Sequence, residues 1–516
     1  MLKLTIVVVY VLAMVAIGYV CMRRTRTVSD FFLAGRNLGP WMSAFAYGTT
    51  YFSAVLFVGY AGRLGWGFGL HTLWIAAGNV LFGSFLAWRL FAGRTRRMTE
   101  RLNALTMPEF LGARFNSRFL KFAAALIIFV FLVPYTASVY QGLSLLFESN
   151  LGISYPAAVA SLALLTGVYL TMGGYLALAW TDFLRGIVEL VGVVVMVLFL
   201  VHLKGGFLAA TAALTQPGTA PALLPPPAGA PAPMFPGWMT LASLVILTSF
   251  GPWGLPQMVQ KFYSIKSEAD IRRAMIVASL FSFFIAFGAY YTGALTHLFY
   301  PANVKQMLAA KYQIAPETAL DYLMPDFLTS QVPPWVSMVI LILVFSASMS
   351  SLSSLVLVSS SAIAVDLYAG LKPNADKRTV MTLMRVLCGV FIAVSLYIAL
   401  NRIDFIVNLM ALSWGALAGS FLAPYCYGLF WKRTTRAGAI AGMLSGLGTI
   451  FWFVETHRAP GNPAIPIGGA LAMLVPVLVV PVVSLLTTPP TASEIDRAFG
   501  ETPVENQSAQ AVAAHT

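Results

Sequence analysis

Long apolar runs separated by short polar segments fill the chain from residue 2 to about residue 487. Each run has about 20 residues or more, enough for an α-helix to cross a hydrocarbon core of roughly 30 Å. The pattern predicts an all-α polytopic membrane protein with about thirteen transmembrane helices. The predicted spans lie near 2–22, 40–62, 66–90, 119–147, 154–172, 177–202, 239–257, 272–299, 335–365, 382–400, 404–429, 434–454 and 465–487.

Two of these spans are predicted to be interrupted. The seventh contains TSFGPWGLPQ at 248–257, where two prolines and two glycines oppose a continuous helix; a simple proline kink is the alternative. The second contains AYGTTYFSA at 46–54, which weakens a helix, and a plain helix is the alternative there. Discontinuous helices at corresponding positions of two repeats mark the central site of a transporter. Spans two and seven are five apart, as an inverted five-plus-five helix repeat requires.

The polar segments between the spans divide the chain further. The outer segment 300–334 has periodic apolar residues that fit a short helix lying on the membrane. We predict an N-terminal accessory helix and loop (1–39), a first repeat (40–202), a Pro/Ala-rich outer loop (203–238), a second repeat (239–430), two C-terminal accessory helices (431–488) and a cytoplasmic tail (489–516) that is disordered apart from a turn of helix near Ile495.

Charge sets the orientation of the predicted bundle. Only 10% of the residues are charged, against about 25% in soluble domains. Seven of the 32 Lys and Arg residues fall on one side of the alternating topology and the remaining 25 on the other. The positive-inside rule then places the N-terminus outside and the C-terminus in the cytoplasm, in the plasma (inner) membrane. The net charge of +13 therefore reflects topology and contact with the lipid bilayer, with no nucleic-acid partner.

The residues that would support catalysis are not arranged for it. Cys21, Cys388 and Cys426 lack metal-binding spacing and read as small apolar residues, and the five histidines form no HExxH pair. The sequence holds no phosphate-binding G-x-x-x-x-G-K-[ST] loop. We therefore predict that the protein is not an enzyme.

A stripe of small and hydroxyl residues runs along the ninth span. Ala347, Ser350, Ser351 and Ser354 are spaced i, i+3, i+4 and i+7, so they share one helical face. A hydroxyl stripe that faces a buried cavity offers oxygen ligands to a small hard cation. The alternative is that these small residues only allow close helix packing.

Three charged residues share a face of the sixth span. Asp182, Arg185 and Glu189 are spaced i, i+3 and i+7. Charges inside a membrane usually face the protein interior and mark an ion or substrate path. The alternative is a salt-bridge ladder that only neutralises charge. An acidic residue and a serine-rich helix in one bundle could together hold a sodium ion.

Four motifs occur in this order: FFLAGRNLGPW (31–41), ALTMPEFLGARF (104–115), GGYLALAWTD (173–182) and SSLSSLVLVSSSAIAVDLY (350–368). Through them the chain resembles the sodium/solute symporter family, which includes sodium–proline, sodium–pantothenate, sodium–monocarboxylate and sodium–glucose carriers. The resemblance covers roughly residues 1–490. It implies a thirteen-helix inverted-repeat fold with spans two to eleven as the core, and alternating access driven by sodium (Na+).

The resemblance also implies cation ligands. A principal sodium would be held by the backbone carbonyls of Thr49, Phe52 and Ala347 and by the hydroxyls of Ser350 and Ser351. Some members bind a second sodium at positions that correspond to Asp182, Ser353 and Ser354, with Ser350 as a candidate shared ligand. Asp182 could instead tune or gate the first site.

The solute is expected beside the two breaks, near the middle of the membrane. Tyr135 matches an aromatic position of the proline carriers, whereas Tyr51 replaces an acid, and Thr248 and Pro252 replace aromatic residues; these departures count against proline itself. The preferred solute is a small carboxylate-bearing molecule met by a half-helix N-terminus. The candidate contacts are Thr50, Tyr51, Ser53, His71, Trp74, Tyr135, Tyr140, Gln141, Thr248 and Trp253.

Together these observations predict a sodium-coupled symporter that imports a small organic solute, such as a monocarboxylate, amino acid or vitamin, by alternating access. A proton-coupled carrier of the same fold, with Asp182 or Glu189 as the titrating group, is one alternative. A membrane solute sensor is the other. The sequence does not fix the oligomeric state, and a monomer is compatible with the prediction.

Overall fold

The structure, a computed structural model, describes residues 2–22, 36–216, 218–224, 235–372, 374–457 and 464–500. These residues are almost entirely helical. The first half contains α1 (Leu2–Met22), α2 (Pro40–Tyr51), α3 (Val55–Leu64, with wide π-type turns), α4 (73–101), α5 (Met107–Arg114), α6 (Arg118–Leu151), α7 (Tyr155–His202) and α8 (Phe207–Leu214).

The second half repeats the pattern of long and short helices. It contains α9 (Gly237–Phe250), α10 (Pro256–Tyr263), α11 (Glu268–Leu295), α12 (Val304–Tyr312), α13 (Leu323–Ser330), α14 (Pro334–Ser361, extended by π-type turns over Ala362–Ala369), α15 (Lys377–Asn401), α16 (Ile406–Phe430), α17 (Arg436–Thr456), α18 (Ile465–Leu486) and α19 (Ala492–Phe499). Following the predicted orientation, we call the end of the bundle that carries α8 and α12 the outer end, and the opposite end the inner end.

The second predicted span is interrupted between α2 and α3. Phe52 is extended, with φ −109° and ψ 123°, and the helix resumes after Ser53. The Ser53 hydroxyl accepts a hydrogen bond of 3.2 Å from the backbone N–H of Val55, which would otherwise be an unsatisfied donor at the new helix start. The interruption is confirmed, and the plain-helix alternative is wrong.

The seventh predicted span is also interrupted. Helix α9 ends at Phe250, a single tight turn follows over Gly251–Trp253, and Leu255 is extended with φ −79° and ψ 122° before α10 begins. Pro252 and Pro256 cannot donate backbone hydrogen bonds, so the ladder of the first segment cannot continue. The peptide at Gly254 also lies against the backbone of Leu422, where an added Cβ would come within 2.8 Å of a neighbouring atom. The break is therefore more than a proline kink.

Helix α7 is longer than one membrane crossing. Forty-eight residues in a straight helix would extend about 72 Å. Both ends of α7 nevertheless lie near the start of α14, because Asn150, five residues before α7, bonds to Ser337, and Phe199 packs on Trp335. The segment therefore doubles back and crosses twice, as the spans near 154–172 and 177–202 predict.

Ten helices are long and apolar enough to cross a membrane in the described part of the chain, and Thr5–Ile17 and Tyr155–Gly167 form two shorter apolar helices. One of the ten, Val55–Arg101, includes a reversal at Gly69, whose φ of +53° lies in the region that favours glycine. The fold class is thus an all-helical polytopic bundle. The total of thirteen spans stays a prediction.

Short helices cover the outer end. The segment 300–334 forms α12, a turn over Ala319–Asp321 and α13, which confirms its predicted helical character. Within the Pro/Ala-rich loop, α8 packs against α11, where Phe207 stacks on Tyr291 at 5.2 Å. The proline-rich residues 225–234 lie outside the described part.

A backbone clip joins the two interrupted spans at the inner end. The N–H of Leu38 donates to the carbonyl of Ser264 at 3.1 Å, and the N–H of Lys266 donates to the carbonyl of Leu38 at 2.9 Å. The guanidinium of Arg36 reinforces the clip by donating to the carbonyls of Tyr263 and Ala104. This part of the 31–41 motif is described; residues 31–35 are not.

The turn of helix predicted near Ile495 is part of a longer element, since residues 492–499 of the tail form α19. Thr491 and Glu494 build a capping box at its start. Its other end lies on the bundle, where Arg497 donates to the carbonyl of Ala113 at 2.8 Å and the Phe499 ring packs under the guanidinium of Arg114. Residues 501–516 lie outside the described part, and the predicted domain boundaries stay predictions.

Candidate functional site

The serine stripe of α14 faces the interior of the bundle. Ser350, Ser351 and Ser353 are fully buried, and Ser354 is 2% exposed. Helix α14 is packed from several sides by α2, α6, α7 and α15. A hydroxyl stripe in this position contacts other polar groups of the protein and not hydrocarbon.

The stripe meets the interrupted end of α2. The Ser350 hydroxyl donates to the Thr49 hydroxyl at 2.9 Å, and the Ser351 hydroxyl lies 3.4 Å from the Thr49 carbonyl and 3.3 Å from the Thr50 carbonyl. Ala347 is buried one turn before Ser350, and Phe52 is the extended residue of the break. The residues that the resemblance implies for the principal sodium thus lie on two segments in direct contact.

The spacing of these oxygen atoms suits a small cation. Ligands held at about 2.3–2.6 Å from a cation of the size of Ca2+, which is close to that of sodium, lie about 3.4 Å from one another in octahedral geometry. The Ser351 hydroxyl oxygen has about that separation from each of the carbonyl oxygens of Thr49 and Thr50. The set is uncharged and made of hydroxyl and carbonyl oxygens, as expected for a hard monovalent ion that binds and leaves in each cycle.

The residues implied for a second sodium are arranged differently. The Asp182 carboxylate lies 3.6 Å from the Arg185 guanidinium and 3.9 Å from the Lys261 ammonium, and all three side chains are buried. Lys261 also donates to the Ser354 hydroxyl at 3.3 Å, while the Ser353 hydroxyl donates to the carbonyl of Met349 in its own helix. Two of the three implied ligands therefore face an ammonium group, and the third faces its own backbone. Sequence patterns gave no sign of Lys261.

Glu189 lies farther along the same face of α7. It is fully buried, and its carboxylate oxygens make no hydrogen bond to any residue that the structure describes. Nearby on α1 and α14, the hydroxyls of Tyr10 and Ser346 lie 2.6 Å apart. The charged face of α7 is therefore interior, and Asp182 and Arg185 form an ion pair within it.

A small cavity lies between the two breaks. Its volume is about 20 Å³, room for about one water molecule, so its walls are nearly in contact. Four of its lining residues are predicted solute contacts, Tyr51, Ser53, Tyr135 and Thr248, and a fifth, Phe52, is a predicted ligand of the principal sodium. The other seven were not predicted: Val55, Leu56, Tyr60, Asn79, Tyr290, Met410 and Trp414.

Hydrogen bonds join the two breaks across this cavity. The Tyr51 hydroxyl donates to the Thr248 carbonyl at 2.6 Å, and the Thr248 hydroxyl donates to the Asn79 side-chain oxygen at 2.8 Å. Asn79 is a polar residue in an apolar run, and this pattern could have identified it as a candidate site residue. Met410 and Trp414 belong to an uninterrupted apolar helix, and no sequence pattern distinguishes them from packing residues.

Two predicted solute contacts lie away from the cavity. His71 is exposed, and Trp74 is 67% exposed, because the chain reverses at Gly69 and turns residues 71–74 away from the breaks. Trp253 is not among the lining residues either; its indole N–H donates to the Phe82 carbonyl at 2.9 Å and its ring packs on Phe250. Trp253 is therefore a packing residue that stabilises the interruption between α9 and α10.

The remaining candidates do not line this cavity. The Thr50 hydroxyl points to Ser354, at 3.2 Å. Tyr140 is fully buried in α6. Gln141 lines a separate outer cavity of about 620 Å³ together with Asp321, Tyr322 and Arg402.

An ion pair borders this outer cavity. Arg63, at the end of α3, donates to the Asp321 carboxylate at 3.2 Å, and its guanidinium lies 3.7 Å from the centre of the Phe405 ring. Burial raises the pKa of Asp321 above its ordinary value, and the charge of Arg63 partly offsets that effect. The pair ties α3 to the helices that cover the outer end.

An inverted-repeat bundle with two interrupted helices, and with uncharged oxygen ligands where one break meets a neighbouring helix, defines a secondary active membrane carrier. The sequence model of the "Sodium:solute symporter family" matches residues 31–446, so the chain belongs to that family. It is a family of transporters and not of enzymes, and sodium is the coupling ion.

The sequence relatives of the chain are consistent with this family. The chain is 29% identical over 496 residues to the sodium/proline symporter of Salmonella typhimurium, covering 95% of this chain and 94% of the relative. It is 30% identical to that of Escherichia coli over 86% of each chain, and 28% identical to the osmoregulated proline transporter of Bacillus subtilis over 95% and 96%.

Among solved structures, the fold is similar to that of a Na+-coupled sialic acid symporter in a substrate-bound outward-open state. The TM-score is 0.75 at 18% identity, over 95% of this chain and 98% of the other. A nucleobase–cation symport family transporter in a closed conformation gives a TM-score of 0.51 at 14% identity, over 92% and 99%. At these identities the likeness concerns the fold alone.

Proposed function

We propose that this protein imports a small amino acid, proline or a close analogue, together with sodium across the plasma membrane. The observation that carries the proposal is the double use of residues 49–53. Thr49 and Thr50 offer carbonyl oxygens to the serine stripe of α14, and Tyr51 and Ser53, immediately after them, line the cavity between the breaks. One interrupted segment therefore serves the cation and the solute.

This double use supplies a physical basis for coupling. Five residues at a helix break have few neighbouring backbone hydrogen bonds to hold them, so oxygen ligation by a cation orders them. Ordering positions Tyr51 and Ser53 before the solute arrives and lowers the cost of binding it. One charge that moves down a 100 mV potential also releases about 2.3 kcal/mol, which drives accumulation.

The lining of the cavity supports a small zwitterion as the solute. None of its described lining residues is charged, while Tyr60, Tyr135 and Trp414 supply aromatic surface. The break supplies opposite dipoles in their place, because the carbonyl end of α2 and the N–H end of α3 meet there. An ammonium and a carboxylate on adjacent atoms fit such a pair. The sodium/proline relatives support the same class.

The test is uptake of labelled proline by proteoliposomes with sodium or choline outside, at fixed pH. We expect uptake only with sodium. The double substitution Ser350→Ala and Ser351→Ala should raise the sodium concentration for half-maximal uptake at least tenfold. Ser348→Ala is the matched control, because the Ser348 hydroxyl only bonds to the carbonyl of Val344 in its own helix.

Two results would count against the proposal. Unchanged sodium dependence in the double variant would remove the assignment of the cation ligands. Uptake that persists in choline under a proton gradient would favour the proton-coupled alternative. A thermal-shift screen of small amino acids, monocarboxylates and sugars, each with and without sodium, checks the solute class, since a ligand pair that binds only the folded protein stabilises it.

A further inference from the structure

Lys261 is buried where the sequence pattern places a second cation site. Its side chain is 1% exposed on α10, and its ammonium contacts the Ser354 hydroxyl at 3.3 Å and the Asp182 carboxylate at 3.9 Å. The Tyr175 ring closes another side, with its centre 4.9 Å from the ammonium nitrogen. The lysine thus contacts two of the three residues implied for that site.

The charges of this region balance only when the lysine is counted. Asp182 and Glu189 are the two carboxylates on the inner face of α7, and Arg185 lies between them at i+3 from one and i−4 from the other. Both cations lie against Asp182, with the Arg185 guanidinium at 3.6 Å and the Lys261 ammonium at 3.9 Å, so this carboxylate already has two cationic neighbours. Because an unpaired charge is costly in a buried site, the four groups form a closed set to which another cation would add an uncompensated charge.

The lysine also reaches the principal cation site through hydroxyl groups. Ser354 contacts the ammonium, and its hydroxyl lies 3.2 Å from that of Thr50. The carbonyl of Thr50 in turn lies 3.3 Å from the Ser351 hydroxyl. The second half of one interrupted span, α10, is therefore connected to the first half of the other, α2, along the stripe of α14.

From this geometry we infer that the ammonium of Lys261 stands in for a second coupling cation, so that the protein moves one sodium per solute. The inference rests on the proposed sodium-coupled function. A tethered ammonium has the charge of sodium and up to three donors, and it can hold α7, α10 and α14 together as an ion would. It cannot be released, so it contributes nothing to the driving force. Each further sodium would raise the attainable solute gradient about fiftyfold per 100 mV.

Equilibrium binding of radioactive sodium to the purified full chain tests the inference without any solute. We expect one sodium per wild-type protein and one in Lys261→Arg, which keeps the charge. Lys261→Met removes the charge but keeps much of the volume, so it should bind two. Adding Asp182→Asn to Lys261→Met should return the number to one. Lys266→Met, which removes an exposed lysine five residues away, is the matched control and should bind one.

The outcomes separate the inference from the proposed function. Two sodium ions in the wild type would overturn the inference and leave sodium coupling intact, whereas none would overturn the proposed function. A folded Lys261→Met protein that still binds one would also overturn the inference. If Lys261→Met does not fold, the number of sodium ions bound per wild-type protein decides whether the inference holds. The reversal potential of sodium-driven proline flux in proteoliposomes gives a second reading of the wild type, with one charge per proline expected and two contradicting the inference.

Discussion

The hydroxyl of Tyr51 and the carbonyl of Thr248 are joined by a hydrogen bond of 2.6 Å, although 197 residues separate them in the chain. Tyr51 is the last residue of α2, and Thr248 lies two residues before the end of α9. The bond therefore connects the two interrupted helices at the point where each one stops, and it forms one wall of the cavity between them.

Tyr51→Phe should weaken solute binding. The substitution removes the donor and leaves the buried Thr248 carbonyl with an unsatisfied lone pair, a loss of about 1–2 kcal/mol. We expect the KM for proline to rise about tenfold. The hydroxyl of Tyr263 is equally buried and makes no hydrogen bond to a described residue, so Tyr263→Phe is the control. Equal effects of both substitutions would contradict a special role for the Tyr51 bond.

Gly83→Ala should disturb the same bond from the other side. An added Cβ at Gly83 would lie 2.1 Å from the Tyr51 hydroxyl oxygen, so the tyrosine side chain must move. We expect a rise in the KM for proline similar to that of Tyr51→Phe, and little further change when the two are combined. Gly389→Ala, where an added Cβ meets nothing within 4 Å, is the matched control. Additive losses in the double variant would show that Gly83 acts elsewhere.

Exposure separates two tryptophans that the sequence does not distinguish. Trp414 is 1% exposed and lines the cavity, whereas Trp74 is 67% exposed. Trp414→Phe removes one ring of the cavity wall, and we expect uptake of proline to fall at least tenfold. Trp74→Ala should change it less than twofold, since surface substitutions have small effects. The reverse order in initial uptake rates would show that the cavity is not the solute site.

The Arg63–Asp321 pair should stabilise the outer end. Because both side chains are largely buried, Asp321→Ala leaves an uncompensated guanidinium at a cost of at most about 3 kcal/mol. We expect a lower Tm for Asp321→Ala and for Arg63→Ala, and a double variant less destabilised than the sum of the two. Strict additivity in this double-mutant cycle would mean that the two groups do not interact.

The docking of α19 should depend on pH. The backbone N–H of Thr491 donates to the Glu494 carboxylate and lowers its pKa below the ordinary value of 4.5. A carboxyl whose pKa is lower in the folded state adds stability above its ordinary pKa, and this stability is lost as the pH falls through the folded value. Proteolysis between α18 and α19 should therefore accelerate as the pH falls below the ordinary pKa of 4.5. Thr491→Ala, which removes the cap at about 1 kcal/mol, should accelerate it at neutral pH.

Local chemistry explains what the sequence predicts correctly. Pro252, Pro256 and Gly254 oppose a continuous helix because the prolines lack a backbone donor and the glycine is a weak helix former, and a serine stripe in an apolar span must find polar neighbours. Both features act within a few residues of chain. The capping box at Thr491 and Glu494 is equally local and starts the helix that contains Ile495.

The remaining parts depend on contacts between distant segments. Lys261 approaches Asp182 from a different helix, 79 residues farther along the chain. In the sequence, a basic residue near the end of a span is typical of a charge at the inner membrane surface. Only the packing of the second interrupted helix against α7 shows that Lys261 is buried beside Asp182. The positions of His71 and Trp74 likewise depend on distant structure, because the reversal at Gly69 decides whether residues 71–74 face the breaks.

The clip between Leu38 and residues 264 and 266 limits how the inner side can open. Two backbone hydrogen bonds join the residues just before α2 to the residues just after α10. These two half-helices therefore move together as one rigid unit unless the hydrogen bonds break. A passage to the cytoplasm then has to form beside this joined pair of half-helices, where α2 packs against α7, α11 and α14. The exit route for the cargo would run beside the paired half-helices instead of between them.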